Sequence, residues 1–124
     1  NEVGMDEAKL IVDAGAKYYF EGANMPATNE ALAYLQEHGV IVGPAKAANA
    51  GGVAVSALEM SQNSERLSWT SEEVDAKLNT IMTSIHDESA KAAEKYGFGY
   101  DLIKGANIAG FVKVADAMMS QGLF

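Results

Sequence analysis

The chain has 124 residues, of which 48% are hydrophobic and 21% charged, a composition typical of a soluble globular protein with one core. Its formal net charge is -8 and its acidic residues are scattered, which argues against a nucleic-acid partner. The absence of cysteine excludes disulfides and thiolate metal sites. No run of roughly 18 apolar residues predicts a membrane span, so we expect a cytoplasmic protein with no membrane partner.

The chain opens with a short predicted helix, for which Asp6 is placed to act as the N-cap. Leu10 and Ile11 form its apolar side, and Gly15 follows where a left-handed residue often ends a helix. Because the sequence begins "NEVGMDEAKL" and not with Met, we expect a fragment of a longer protein.

A strand, a helix and a second strand are predicted next. The aromatic run "KYYF" at residues 17–20 favours a strand, and Thr28 is placed to cap the helix "NEALAYLQEH", which Gly39 ends. The run "VIVG" at residues 40–43 favours the second strand. Such a βαβ unit joins parallel strands, so the predicted fold class is α/β.

Three longer helices are predicted in the second half. The first covers residues 52–67, with Val53 and Met60 on one face. The second follows a capping box formed by Thr70 and Glu73 and ends at Gly97. The third covers residues 105–121 and is apolar around most of its circumference, so we expect it to be buried on more than one side.

Two segments follow the predicted strands directly: "EGANMPA" and "GPAKAANAGG". Ligands of open parallel sheets bind outside the carboxyl ends of the strands, so both segments are expected in loops on the same rim. Each contains an asparagine, Asn24 and Asn49, whose amide offers an acceptor and two donors. The rim therefore suits a ligand with an amide or a carboxylate.

Several residues of this rim have a functional and a purely structural interpretation. The pair Gly51 and Gly52 lets a ligand approach backbone amides, or it forms a tight corner before a helix. The Ser56 hydroxyl points back over the helix start, or it bonds the carbonyl of the preceding turn. Lys46 is an anion contact or catalytic amine, or a solvated surface lysine.

The two histidines give no metal site. His38 lies in the last turn of a predicted helix and His86 in a polar "HDES" run, and neither has an evident ligand partner. Trp69, beside the capping box, is most simply an apolar contact at the start of a helix.

Three blocks of the sequence carry a more specific signal: "EGANMPAT", "PAKAANAGGVAVSALEMSQNSERLSW" and "GANIAGFVKVADAM". Together they resemble the C-terminal part of the hexameric glutamate dehydrogenases, in the group that usually uses NADP. The resemblance implies oxidative deamination of L-glutamate to 2-oxoglutarate and ammonia, with hydride transfer to NADP or NAD. It also implies a homo-oligomer, a hexamer in the family.

The resemblance divides the chain and assigns roles to residues. Residues 1–50 would be the last portion of a partial Rossmann-like dinucleotide-binding domain, and residues 51–124 a helical segment that returns to the substrate domain. Asn24 would lie by the nicotinamide, and Asn49 would contact nicotinamide or substrate. Gly52 and Val53 would line the glutamate pocket, and Ser56 would bond the distal carboxylate.

The resemblance also implies what this sequence lacks. The family's catalytic lysine and aspartate and its glycine-rich phosphate loop belong to upstream sequence, so no catalytic residue is assigned and the chain alone is expected to be inactive. Many relatives have glycine where this chain has Ala45, so if that glycine has a positive φ, local backbone strain or a slightly different loop is expected here.

Two other functions stay open at this stage. An acidic binding or assembly module that retains the fold without chemistry has no need for the set Asn24, Asn49, Gly52 and Ser56. A dehydrogenase of another amino acid requires a different pocket around Val53 and Ser56. For the last helix, we expect self-association as a tail-mediated dimer, or a tail folded back on the chain.

Overall fold

The computed structural model describes residues 2–122, which form two short strands and six helices. Their order along the chain is α1 (Met5–Asp13), β1 (Tyr18–Phe20), α2 (Asn29–Glu37), β2 (Ile41–Gly43), α3 (Ala45–Ala48), α4 (Ala50–Glu65), α5 (Ser71–Lys95) and α6 (Leu102–Gln121). The α/β class is therefore confirmed. Within residues 2–122, no helix combines the length and the apolar character that crossing a membrane requires.

Helix α1 begins differently from the sequence prediction. Its N-cap is Gly4, and the Glu7 side chain reaches back to accept the Gly4 N–H at 2.9 Å. Asp6 lies inside the first turn, where its charge still complements the helix dipole. The prediction of an Asp6 cap is therefore wrong. The predicted end is confirmed, since Gly15 has a φ of +75°.

The two strands pair in parallel, as the βαβ pattern predicts, with Tyr19 opposite Val42. Helix α2 connects them and is capped by Thr28, whose hydroxyl accepts the Ala31 N–H at 3.2 Å. The main core lies where α1 and α2 pack together beside β2. It consists of buried aliphatic residues, namely Ala8, Ala27, Ala31, Leu35, Val40 and Val42.

Most of the segment after β2 is helical, whereas the sequence analysis predicts a loop there. Pro44 is extended, α3 begins at Ala45, and Asn49 is the only residue between α3 and α4. Ala45 is therefore helical. Among the non-glycine residues described, positive φ angles occur only at Met25 and Arg66. The expected strain at Ala45 is wrong, because alanine fits the first turn of a helix without difficulty.

The long helices α5 and α6 pack along each other. Helix α5 has the predicted capping box, with Thr70 and Glu73 bonding each other's backbone N–H groups. Helix α6 begins at Leu102, one turn before the predicted start, because the Asp101 carboxylate accepts the Lys104 N–H and caps it. The two helices approach each other closely at Gly105, which is buried.

The second half of α6 is not covered by the rest of this chain. Phe111 is 72% exposed, and Val114, Met118 and Met119 are exposed as well. The alternative in which the tail folds back on the chain is therefore wrong for the part of α6 that the structure describes. The prediction of burial on more than one side fails within this chain alone, because one side of this half is exposed and Val112 and Ala115, on the other side, are only half-buried.

Candidate functional site

The two asparagines that the sequence singles out lie together at the carboxyl ends of the strands. The Asn49 Nδ2 donates a hydrogen bond to the Asn24 Oδ1 at 2.7 Å. Asn24 lies four residues beyond β1, and Asn49 joins α3 to α4. The side-chain groups that this bond leaves available include the Asn24 Nδ2 hydrogens and the Asn49 Oδ1 oxygen. This edge of the sheet therefore offers both donors and an acceptor to a ligand.

The segment that carries Asn24 also carries a buried carboxylate, Glu21. Glu21, the residue after β1, is only 4% exposed, and its Oε2 accepts the Ala45 N–H at 3.0 Å. Its other oxygen, Oε1, is buried without a hydrogen-bond partner among the described residues. The Glu21 side chain thus connects the end of β1 to the first turn of α3. Glu21 is the first residue of "EGANMPA", one of the two segments expected to bind a ligand, but the sequence indicates no role for it.

Lys46 is held by a helix from the other end of the chain. Its Nζ donates to the Asn107 Oδ1 on α6, so the lysine is exposed but has a defined partner. Sequence reasoning missed Asn107, although the residue stands in the "GANIAGF" block. A cavity of about 610 Å³ lies beside this contact and includes Glu21, Ala45, Lys46 and Asn107 in its wall.

The glycine pair lies in the first turn of α4 and not in a loop. A Cβ on Gly51 would lie 3.3 Å from Leu78 and Met82 of α5, so Gly51 allows close packing of two helices. A Cβ on Gly52 would meet no other atom within 4 Å. Gly52 is exposed and so remains available to a ligand. The two glycines therefore have different surroundings.

Val53 and Ser56 lie on an exposed part of α4. Val53 is 72% exposed, and the Ser56 hydroxyl donates to the Gly52 carbonyl at 3.3 Å. In this chain Ser56 therefore bonds the carbonyl of the preceding turn, as its purely structural interpretation predicts. The bond is long for an O–H donor, and the exposed hydroxyl is free to turn towards an incoming acceptor. The two residues share one surface with Gly52.

His86, on α5, makes a separate polar contact. Its Nε2 lies 2.6 Å from the Tyr100 hydroxyl and its Nδ1 lies 3.0 Å from Asp87 Oδ1. His38 is separate, with its Nδ1 2.8 Å from the Tyr34 carbonyl oxygen. Over residues 2–122, no group of three His, Cys, Asp or Glu side chains is arranged to hold a metal ion.

One carboxylate near the start of α6 has a shifted acidity. Burial by itself raises the pKa of Asp101, but hydrogen bonds from Lys104 and Gln36, with the Lys104 charge, outweigh it. The net effect holds the Asp101 pKa below its ordinary value of 3.8. This carboxylate stays ionised at neutral pH and keeps α6 attached to α2 through the Gln36 bond of 3.1 Å.

The chain is similar in sequence to one group of enzymes. The chain spans about 28% of the length of the curated relatives that it matches. It is 64% identical over 124 residues, 99% of this chain, to an NAD-specific glutamate dehydrogenase of Clostridium symbiosum. It is 57% identical over 127 residues, again 99% of this chain, to an NADP-specific glutamate dehydrogenase of Psychrobacter sp. (strain TAD1).

Similarity extends to solved structures and to a family model. A hetero-hexameric glutamate dehydrogenase from Thermus thermophilus, in a Leu-bound form, superposes with a TM-score of 0.88 at 28% identity. That match covers 100% of this chain and 29% of the Thermus chain. The family model described as Glutamate/Leucine/Phenylalanine/Valine dehydrogenase matches residues 1–122. The chain therefore belongs to the glutamate, leucine, phenylalanine and valine dehydrogenase family.

Proposed function

We propose that this chain is the C-terminal part of a glutamate dehydrogenase that converts L-glutamate to 2-oxoglutarate and ammonia with NADP, or NAD, as hydride acceptor. The observation that carries the proposal is the Asn24–Asn49 hydrogen bond of 2.7 Å, which joins two otherwise separate motifs at the strand ends. The resemblance assigns these motifs to the cofactor and the substrate. The identities of 64% and 57% to glutamate dehydrogenases support the same substrate.

The residues at this edge fit a nicotinamide nucleotide. The amide hydrogens of Asn24 and the carbonyl oxygen of Asn49 complement the hydroxyl and carboxamide groups of such a ligand. When bound, the cofactor would supply the hydride acceptor. The role of this chain would be to bind and orient: Asn24 would contact the cofactor, and Asn49 would contact cofactor and substrate.

The exposed surface of α4 fits the substrate side. Gly52 leaves open space, Val53 offers an apolar contact for the aliphatic part of glutamate, and the Ser56 hydroxyl can donate to its distal carboxylate. To do so, Ser56 exchanges its long bond to the Gly52 carbonyl for a bond to a charged acceptor. Charge-assisted hydrogen bonds are the stronger kind, so the exchange is favourable.

The decisive test is Ser56→Ala in the full-length enzyme. The substitution should weaken glutamate binding by about 1.5–3 kcal/mol, the contribution of a hydrogen bond to a charged group, and leave cofactor affinity nearly unchanged. Ser61→Ala is the matched control, because Ser61 also lies on α4 and bonds the Ala57 carbonyl at 3.0 Å. A glutamate KM that is unchanged in Ser56→Ala would contradict the assigned role.

The same proposal predicts that the 124-residue chain alone is inactive. The resemblance places the proton-transferring lysine and aspartate and the phosphate-binding loop in upstream sequence, and positioned acid–base groups are required for the reaction. Glutamate-dependent reduction of NAD or NADP should not exceed a blank without protein. Activity from protein whose intact mass equals that of this chain would refute the prediction.

The alternatives differ in measurable ways. A non-catalytic acidic module would give a full-length protein without glutamate-dependent reduction of either nucleotide. A dehydrogenase of another amino acid would prefer leucine, phenylalanine or valine to glutamate in a competition assay. The cytoplasmic location and the division of the chain at residue 50 stay predictions.

For the exposed half of α6, we propose that the upstream part of the same enzyme covers it. Phe111, Val114 and Met118 border an open apolar cavity of about 760 Å³, and about 72% of the relatives' length lies outside the matched region, since the chain spans 28%. Burying each such side chain contributes about 1.5–3 kcal/mol. The 124-residue chain without this cover should dimerise through α6.

Sedimentation of the 124-residue chain tests this expectation. Phe111→Lys should convert a dimer to a monomer, whereas Leu10→Lys, at an exposed apolar residue on α1, should leave the dimer intact. A strict monomer at high protein concentration would contradict self-association. The hexamer of the family belongs to the full-length enzyme in this proposal, in line with the hetero-hexameric relative described above.

A further inference from the structure

The buried carboxylate of Glu21 has no role in the function proposed above. Burying a charged group is costly unless its hydrogen bonds compensate, and the only bond to this side chain within residues 2–122 comes from the Ala45 N–H at 3.0 Å. The backbone at Glu21 is also fixed, because its N–H continues the strand ladder to the Gly43 carbonyl at 3.0 Å. The Glu21 carboxylate is thus an acceptor on a fixed backbone, and its hydrogen bond is to the first residue of α3.

We propose that Glu21 is a positioning residue, which holds α3 against the end of β1 and so keeps Asn49 within hydrogen-bonding distance of Asn24. Its effect on catalysis rests on the function proposed above, whereas its effect on the asparagine pair does not. No contact between Glu21 and substrate or cofactor is part of this proposal.

The geometry carries the proposal because two parallel links join the same two segments. Glu21 binds Ala45, and three residues later Asn24 binds Asn49. Ala45 and Asn49 are one helical turn apart, with the Asn49 N–H bonded to the Ala45 carbonyl at 2.9 Å. Fixing one end of this turn therefore fixes the other. Without the first link, α3 can shift relative to β1 and carry Asn49 with it.

The electrostatics of the first link favour the same role. Ala45 is the first residue of α3, so its N–H has no partner inside the helix, and the helix start attracts negative charge. A carboxylate acceptor gives this bond extra strength. The main core around Leu35 does not include Glu21, so loss of the link should displace α3 without unfolding the chain.

Three substitutions separate the link from general structural damage. Glu21→Met retains the length of the side chain but removes the acceptor, whereas Glu21→Gln retains an acceptor for the Ala45 N–H. Ala45→Pro removes the donor and suits a first helical position, and the extended Pro44, with ψ of 148°, accepts a following proline. Glu37→Met, at an exposed glutamate of α2, is the matched control.

The first measurement is NMR on the 124-residue chain. In the unsubstituted protein, the Ala45 amide should exchange with solvent at least about tenfold more slowly than the amide of Ser71, the exposed first residue of α5. In Glu21→Met and Ala45→Pro, the side-chain amide signals of Asn24 and Asn49 should shift and exchange faster. They should be unchanged in Glu21→Gln and Glu37→Met.

Two results of this measurement would overturn the proposal. One is an Ala45 amide that exchanges as fast as that of Ser71, which requires no variant to fold. The other is an unchanged asparagine pair in either Glu21→Met or Ala45→Pro, whichever folds.

The second measurement is steady-state kinetics of the full-length enzyme. A displacement of the site by about 1 Å costs up to about 100-fold in rate, so Glu21→Met and Ala45→Pro should each lower kcat/KM by about 10- to 100-fold. Glu21→Gln should restore most of the activity. The double variant should be no worse than either single variant, because both remove the same bond. Additive losses would overturn the proposal.

The two measurements also distinguish failure of this proposal from failure of the proposed function. If the unsubstituted full-length protein does not oxidise glutamate, the proposed function is wrong, and the NMR measurement alone then decides the role of Glu21.

Discussion

The contact between α5 and α6 at Gly105 allows one prediction to be worked out from distances. A Cβ at this position would lie 2.0 Å from the Ser89 carbonyl oxygen and 2.8 Å from its carbonyl carbon. The closest ordinary approach of a carbon to a carbonyl oxygen is about 3.3 Å. Gly105→Ala therefore forces the two helices apart by roughly 1.3 Å, and the atoms in the way belong to the backbone and cannot rotate aside.

The energetic terms oppose each other. Alanine gains about 1 kcal/mol over glycine within a helix. Forced overpacking costs typically about 1–3 kcal/mol and here separates a helix pair along its length. We expect Gly105→Ala to lower the free energy of unfolding by up to about 2 kcal/mol, measured by urea denaturation followed by circular dichroism.

Gly110 on the same helix provides the control. A Cβ there would meet no other atom within 4 Å, so Gly110→Ala should raise the free energy of unfolding by about 0.5–1 kcal/mol. The two variants should change stability in opposite directions, because Gly105 lies against the Ser89 backbone and Gly110 has no such neighbour. A Gly105→Ala chain as stable as Gly110→Ala would refute the reasoning.

Three further predictions concern stability. Thr70→Ala removes the acceptor for the Glu73 N–H and should cost about 1 kcal/mol in urea denaturation, and an unchanged midpoint would mean that the cap contributes nothing. Leu35→Ala, in the fully buried core, should cost about 2–5 kcal/mol in the same assay, and a loss below 1 kcal/mol would contradict its burial. Because the folded-state pKa of Asp101 lies below its ordinary value of 3.8, its contribution to stability is present above that pH and is lost as the pH falls through the lower folded value. Asp101→Asn should reduce the slope of stability against pH in this acid range, and an identical slope in both proteins would show that Lys104 does not hold the carboxylate.

The pairing of Asn24 with Asn49 shows what sequence alone can and cannot predict about the site. The rule that ligands bind at the carboxyl ends of parallel strands places both residues on one edge of the sheet. The hydrogen bond between them depends on where α3 begins. The sequence predicts a loop for "GPAKAANAGG" and therefore does not predict α3. A four-residue helix gives too short a periodic pattern to be recognised in sequence.

Local signals in the sequence determined the elements themselves. The predicted helix starts are confirmed at two threonines, Thr28 and Thr70, whose hydroxyls bond N–H groups three residues away. The predicted helix ends are confirmed at three glycines with positive φ, namely Gly15, Gly39 and Gly97. All of these signals involve only neighbouring residues. The parallel strand pair follows from the spacing of strand, helix and strand.

Only the tertiary structure decided which residues from distant positions meet. Glu21 accepts the Ala45 N–H at the start of α3, Lys46 bonds Asn107 because α6 returns to the strand ends, and Gly105 is needed because α5 passes within contact of it. These contacts join segments up to 61 residues apart, and no pattern within either segment encodes its partner. Caps and turns are fixed by chemistry a few residues away, whereas burial and partnership depend on packing of the whole chain.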